Sequence, residues 1–136
     1  MPTIDDCRVL DLPRINDPRG NLTFLEGGRH VPFDVRRVFY IYDVPTEESR
    51  GAHAHRTLQQ FLICLSGSFD VAIDDGVNKG RIHLNRPWKG LLIPPMIWAA
   101  EVNFDAGSVC LVLASDVYRE ADYIRDYAEF LRLGGH

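Results

Sequence analysis

Apolar positions fall in short runs along the whole chain, each closed by turn residues. The runs RVLDL (8–12), NLTFLE (21–26), VRRVFYIYD (35–43), AHAHR (52–56) and QFLICLS (60–66) read as strands. So do FDVAI (69–73), GRIHL (80–84), GLLI (90–93), MIWAAEV (96–102) and SVCLVLA (108–114). Asp17-Pro18-Arg19-Gly20, Ser66-Gly67, Asp74-Asp75-Gly76, Pro94-Pro95 and Asp105-Ala106-Gly107 mark the turns between them. Many short strands at near-regular spacing predict an all-β sandwich or antiparallel barrel. The period changes only at the end. In YREADYIRDYAEFLRLGG, Ala121, Ile124, Ala128 and Leu131 recur at helical spacing, which predicts a C-terminal helix stopped by Gly134-Gly135. With no internal repeat and no linker, residues 1–136 are expected to form one domain.

Composition narrows this picture. No apolar run approaches the roughly 20 residues that span a bilayer, and MPTIDDCRVLD lacks the basic and apolar blocks of a signal peptide. A cytoplasmic protein without a membrane partner is expected. Cys7, Cys64 and Cys110 are odd in number and widely spaced, which suggests neither a disulfide framework nor a thiolate zinc site. A net charge of −4 argues against nucleic-acid binding. The cations are 13 Arg and 2 Lys, and the planar guanidinium fork suits phosphate or carboxylate.

The chemistry concentrates in RGAHAHRTLQQFLICLSG (50–67). On a strand His53 and His55 share one face while Ala52 and Ala54 take the other. Carried forward without a bulge, that phase adds Gln59, Phe61 and Ile63 to the histidine face, the expected inner wall of a pocket. Two uses of the imidazoles compete. They can be hydrogen-bonded lining residues, or they can take and return a proton near neutral pH beside a carbonyl.

The stretch resembles the first motif of the cupin superfamily, small jelly-roll barrels, with His53-Ala54-His55, then Gln59, then Gly67 as the closing glycine. Gly90 and Pro94-Pro95 resemble the second motif, but Trp98 stands near the place of its histidine. An amide and an indole thus replace two of the four usual metal ligands, so no metal is expected; His83 is the remaining residue that could complete a site. Arg50-Gly51-x-His53 and Asp17-Pro18-Arg19-Gly20 look like the RGxH and DxRG segments of cupin nucleotide-sugar epimerases, whose arginines hold the nucleotide diphosphate.

Taken together, RVFYIYDV, RGAHAHRTLQQFLICLSGSFDVAIDDG, GLLIPPMIW, LVLAS and DYIRDYAEFL resemble the sugar 3,4-ketoisomerase family acting on dTDP-4-keto-6-deoxyglucose, from about Arg14 to Leu131. Ala99 departs from that pattern, in which a longer polar residue follows Trp98. The resemblance implies an isomerase of the intramolecular oxidoreductase class, in deoxysugar biosynthesis, with no cofactor. It implies that His53 moves a proton from sugar C3 to C4 and that His55 supplies a second proton-transfer or enediolate contact. Arg50 and Arg19 would bind the diphosphate, Tyr40 and Tyr42 would offer hydroxyls, Gln59 would orient an imidazole and Trp98 would form a wall. A homodimer with an exchanged N-terminal strand is implied as well. The alternatives are a 3,5-epimerase, disfavoured because no His follows Trp98 before His136, and a non-catalytic sugar- or metal-binding cupin.

Overall fold

The QFLICLS run is apolar at consecutive positions, not alternate ones, because both faces of its strand are covered. In the computed structural model, which describes residues 1–134, this strand lies at the centre of a five-stranded antiparallel sheet. In chain order the strands are β1 (Arg8–Asp11), β2 (Arg14–Asp17), β3 (Gly20–Thr23), β4 (Arg37–Tyr42), β5 (Arg50–His55) and β6 (Gln60–Ser66). They continue as β7 (Phe69–Asp74), β8 (Lys79–Leu84), β9 (Lys89–Ile93), β10 (Trp98–Val102), β11 (Val109–Ala114) and β12 (Tyr123–Ile124), followed by helix α1 (Tyr127–Leu133). One sheet has the order β1-β9-β6-β11-β4 and the other β12-β5-β10-β7-β8, with β2 and β3 forming a separate hairpin. The expected all-β, jelly-roll-like architecture with a short terminal helix is what forms.

The main core fills the space between the sheets. Leu62 and Cys64 of β6, Leu91 and Ile93 of β9 and Val112 of β11 meet Val71 and Ile73 of β7 there, all close to fully buried. Phe61 and Ile63 point the other way, into a second cluster with Val31, Phe33 and Leu113. Cys64 and Cys110 are ladder partners on β6 and β11, and all three cysteines are buried and free. Such thiols behave as small hydrophobes.

The helix is shorter than the spacing predicts. Residues Glu120–Asp122 form a 3₁₀ turn, and β12 pairs with β5 through Tyr123↔His55 and Ile124↔Ala54. Strand pairing at the sheet edge therefore overrides local helical periodicity, so Ala121 falls in the 3₁₀ turn and Ile124 on a strand, neither on the α-helix. Asp126 caps α1 by accepting the Glu129 amide, and Phe130 seats the helix on Ala54 and Ile124. Gly134 caps the C-terminus, whereas Gly135 and His136 lie outside the described residues. Among the described residues no helix is long and apolar enough to cross a membrane.

Candidate active site

The backbone of β5 departs from regular strand geometry just before the histidines. Against β10 the register runs Ala99↔His53, then Ala100↔Gly51 and Glu101↔Arg50, so the ladder skips Ala52. Gly51 has φ +86° and Ala52 φ +64°, a left-handed conformation that disfavours side chains other than glycine. This is a β-bulge, and it has a direct consequence for the RGxH spacing. Residues three apart on a regular strand face opposite ways; one extra residue brings Arg50 onto the same side as His53. Both line a cavity of about 740 Å³ at the mouth between the sheets, within the size range of small-ligand sites.

His53 stands in that cavity, with its Nδ1 buried and lacking a hydrogen-bond partner among the described residues. Burial, reinforced by the Arg125 charge, lowers its pKa and keeps the imidazole neutral at physiological pH. His55 lies beyond it on the same wall, the two rings meeting edge to face at 4.8 Å between centroids. It does not reach the large cavity. It lines a small recess with Asp122 and Tyr123, and burial followed by the His53 charge pushes its pKa down to about 4. Its Nδ1 faces Asp122 Oδ2 at 3.4 Å, without the alignment of a formed hydrogen bond. Asp122 is itself held by the Thr57 amide and hydroxyl at 2.9 and 2.7 Å and by the Leu58 amide at 3.2 Å. Tyr123 packs against both histidine rings, at 4.9 and 4.3 Å.

The remaining expected site residues divide. Tyr40 and Tyr42 reach the mouth of the cavity, but they project from the outer face of edge strand β4 and are 61% and 59% exposed. Phe39 and Ile41 take the inward positions. Gln59 lies outside the cavity: it precedes β6, its backbone N–H donates to Ser115 Oγ at 2.9 Å, and Gln60 and Leu62 face the site instead. The alternation could not carry across because β5 and β6 belong to opposite sheets, joined by a turn. Trp98 is on the outer face of β10, against Tyr127 and Phe130. Arg19 sits in the β2–β3 turn with its side chain 90% exposed and forked onto Asp17 at 2.8 and 3.2 Å. In a single chain it does not approach the cavity. His83 binds Asp70 at 2.7 Å on β7, away from both strand histidines. Among the described residues no group of three or more His, Cys, Asp or Glu is placed to hold a metal.

Several cavity residues escaped sequence reasoning. Tyr123 and Arg125 were hidden in the apparent helix; Arg125 is forked onto Glu120 at 2.7 and 2.9 Å and lies 4.3 Å over the Tyr123 ring. Glu101 was visible as a lone carboxylate at an inward position of the MIWAAEV strand. An acid in an apolar strand is costly to bury and for that reason informative.

Residues 5–134 match the FdtA family, described as WxcM-like, C-terminal. The chain is also 44% identical, over 90% of its length and 88% of the relative's, to the TDP-4-oxo-6-deoxy-alpha-D-glucose-3,4-oxoisomerase of Aneurinibacillus thermoaerophilus. The chain belongs to the FdtA family of sugar 3,4-ketoisomerases. Among solved structures of that group, the WlaRB TDP-quinovose 3,4-ketoisomerase of Campylobacter jejuni is 50% identical, with 95% of this chain and 99% of that one covered and a TM-score of 0.91. A histidine-to-asparagine mutant of the QdtA 3,4-ketoisomerase of Thermoanaerobacterium thermosaccharolyticum, in complex with TDP-4-keto-6-deoxyglucose, is 39% identical. Its TM-score is 0.92, with 94% and 93% of the two chains covered.

Proposed function

We propose that this ketoisomerase converts TDP-4-keto-6-deoxyglucose into the corresponding 3-keto sugar, with His53 as the base. The observation that carries this reading is the bulge that places a half-buried imidazole, neutral at physiological pH, and an arginine on one side of a single cavity. The C3 proton lies beside the C4 ketone and is acidified by it. His53 removes that proton, the electrons form an enediol across C3 and C4, and return of the proton to C4 leaves the ketone at C3. Arg50, at the cavity mouth, pairs with the diphosphate through its fork. A relative bound to TDP-4-keto-6-deoxyglucose supports the substrate.

His55 acts through His53. Set behind Tyr123 and facing Asp122, it fixes the plane of the His53 ring by edge contact. Tyr40 and Tyr42 offer hydroxyls only at the rim. The chain also works as a homodimer in this reading, with β1 laid on β9 of the other subunit in the register it keeps here, Arg8↔Leu92 to Asp11↔Lys89. Exposed Val38, Tyr40, Tyr42 and Leu65, together with an apolar groove on the same sheet, favour a covered face.

The deciding experiment incubates wild type and His53→Asn with TDP-4-keto-6-deoxyglucose and follows the product by NMR. The variant keeps a hydrogen-bonding group but has no titratable nitrogen. It is expected to fold and bind TDP while turnover drops at least about 100-fold, the lower range for lost general-base catalysis. Near-normal isomerisation by the variant would refute the assignment. Wild type that binds TDP without forming a 3-keto sugar would point to a non-catalytic binding protein.

A further inference from the structure

Isomerisation moves two protons, one between carbons and one between oxygens. C3 loses hydrogen and C4 gains it; O3 also loses hydrogen and O4 gains it. His53 accounts for the first transfer and leaves the second without a carrier. We propose that Glu101 is a further catalytic residue, whose carboxyl hands a proton to O4 and takes one from O3. This inference rests on the isomerase reading above and completes its proton balance.

Glu101 faces the cavity from β10, as ladder partner of Arg50 and two residues from Ala99, the partner of His53. The two candidate proton carriers therefore occupy neighbouring strands on one inner wall. The residue is 8% exposed, so its carboxyl meets the cavity but is shielded from bulk water. Space for it is cleared by Gly51, where a Cβ would stand 2.5 Å from Glu101 Oε2. Among the described residues no other side chain hydrogen-bonds to this carboxyl; its own backbone amide donates to it, and no side chain competes with a substrate for the face it turns to the cavity. A protonated carboxyl presents one donor and one acceptor side by side, the pattern needed to bridge two vicinal oxygens.

The steps close without an oxidant or reductant. As the C3–H bond breaks toward His53, the C4=O π bond opens and O4 takes the Glu101 proton, giving the enediol. The O3–H bond then breaks toward the Glu101 carboxylate, C3=O forms, and protonated His53 delivers its proton to C4. His53 ends neutral and Glu101 ends protonated, as they began. Burial raises the Glu101 pKa to about 7, against the opposing hydrogen bond from its own backbone amide and the charge of Arg50. The other groups around it are His53, Arg125, Asp43 and Glu48 in the same cavity, and the neutral Cys110 thiol from β11. A bound diphosphate adds negative charge and favours the protonated acid further.

The test compares wild type, Glu101→Gln and Glu101→Asp in three measurements: TDP binding, deuterium exchange at sugar C3 in deuterated water, and formation of the 3-keto product. Glutamine can hydrogen-bond the enediolate but cannot relay a proton. We expect Glu101→Gln to bind TDP within about threefold of wild type and to keep C3 exchange within about tenfold. Product formation should fall by roughly 100-fold or more, with partial recovery in Glu101→Asp. The wild-type kcat/KM, which reports the free enzyme, should decline as pH rises through about 7, and that limb should vanish in Glu101→Gln. Product formation near the wild-type rate, or equal loss of exchange and product in both variants, would overturn the relay. Wild type that neither exchanges C3 nor forms product would overturn the isomerase reading and the relay with it.

Discussion

Arg50 and Glu101 face each other across one ladder position, yet burial separates their roles. Arg50 is exposed at the mouth and Glu101 lies in the floor. Arg50→Lys keeps the charge and loses the two-pronged geometry, and hydrogen bonds to charged groups contribute about 1.5–3 kcal/mol. TDP affinity measured by calorimetry should fall roughly tenfold; unchanged affinity would mean that Arg50 does not grip the diphosphate. Glu101 also ties stability to pH. Its folded pKa, about 7, lies above the ordinary 4.5, so its contribution is fully present below pH 4.5 and is lost as pH rises through 7. The full swing is on the order of 3 kcal/mol. Urea denaturation should accordingly show Glu101→Gln gaining on wild type between pH 5 and pH 8. A constant difference across that window would show that the carboxyl is not the titrating group.

Among the elements, β5 is the one whose irregularity makes the site. A straight strand would put Arg50 and His53 on opposite faces, and the bulge at Ala52 brings them together. Gly51 serves the bulge twice, by its positive φ and by leaving room for the Glu101 carboxyl and the Ala99 carbonyl, 3.2 Å from where a Cβ would stand. Gly51→Ala should therefore cost about 1–3 kcal/mol in thermal or chemical unfolding, and the folded fraction should lose turnover more than TDP binding. A variant with wild-type stability and turnover would show that the bulge tolerates a side chain. The C-terminal segment shows the complementary effect: Tyr123 and Ile124 leave the helical pattern to pair with His55 and Ala54. That pairing packs a tyrosine against both histidines.

For the molecule as a whole, the two faces of the β1-containing sheet differ in what covers them. The inner face packs on the opposite sheet. The outer face is only partly covered by residues 24–35, leaving a groove of about 590 Å³ lined by residues including Phe24, Leu65, Trp88 and Leu111. If a second copy covers that groove, light scattering should give a dimer, and Leu65→Asp should shift it toward monomer at micromolar concentration by placing a charge on the buried face. A wild-type monomer at high micromolar concentration would refute the dimer.

Much was legible in the residues alone. Ten runs of apolar residues announced ten strands within a few residues of their final bounds, because each strand must bury apolar side chains on one or both faces and ends where turn residues return the chain to solvent. His53 and Arg50 were also visible, since an HxH on a strand behind an Arg-Gly is a chemical pattern as well as a structural one. Tertiary structure decided everything that depends on the meeting of distant segments. It put Gln60 where the alternation expected Gln59, since phase does not pass from one sheet to the other. It moved Trp98 to the outside and set Arg19 in a solvent-exposed turn. It brought Asp122 to His55 and Glu101 to the cavity floor, contacts between segments more than 40 residues apart in sequence. Local pattern encodes which residues are buried, whereas burial beside a particular partner, and hence the charge state each group can hold, is a property of the folded chain alone.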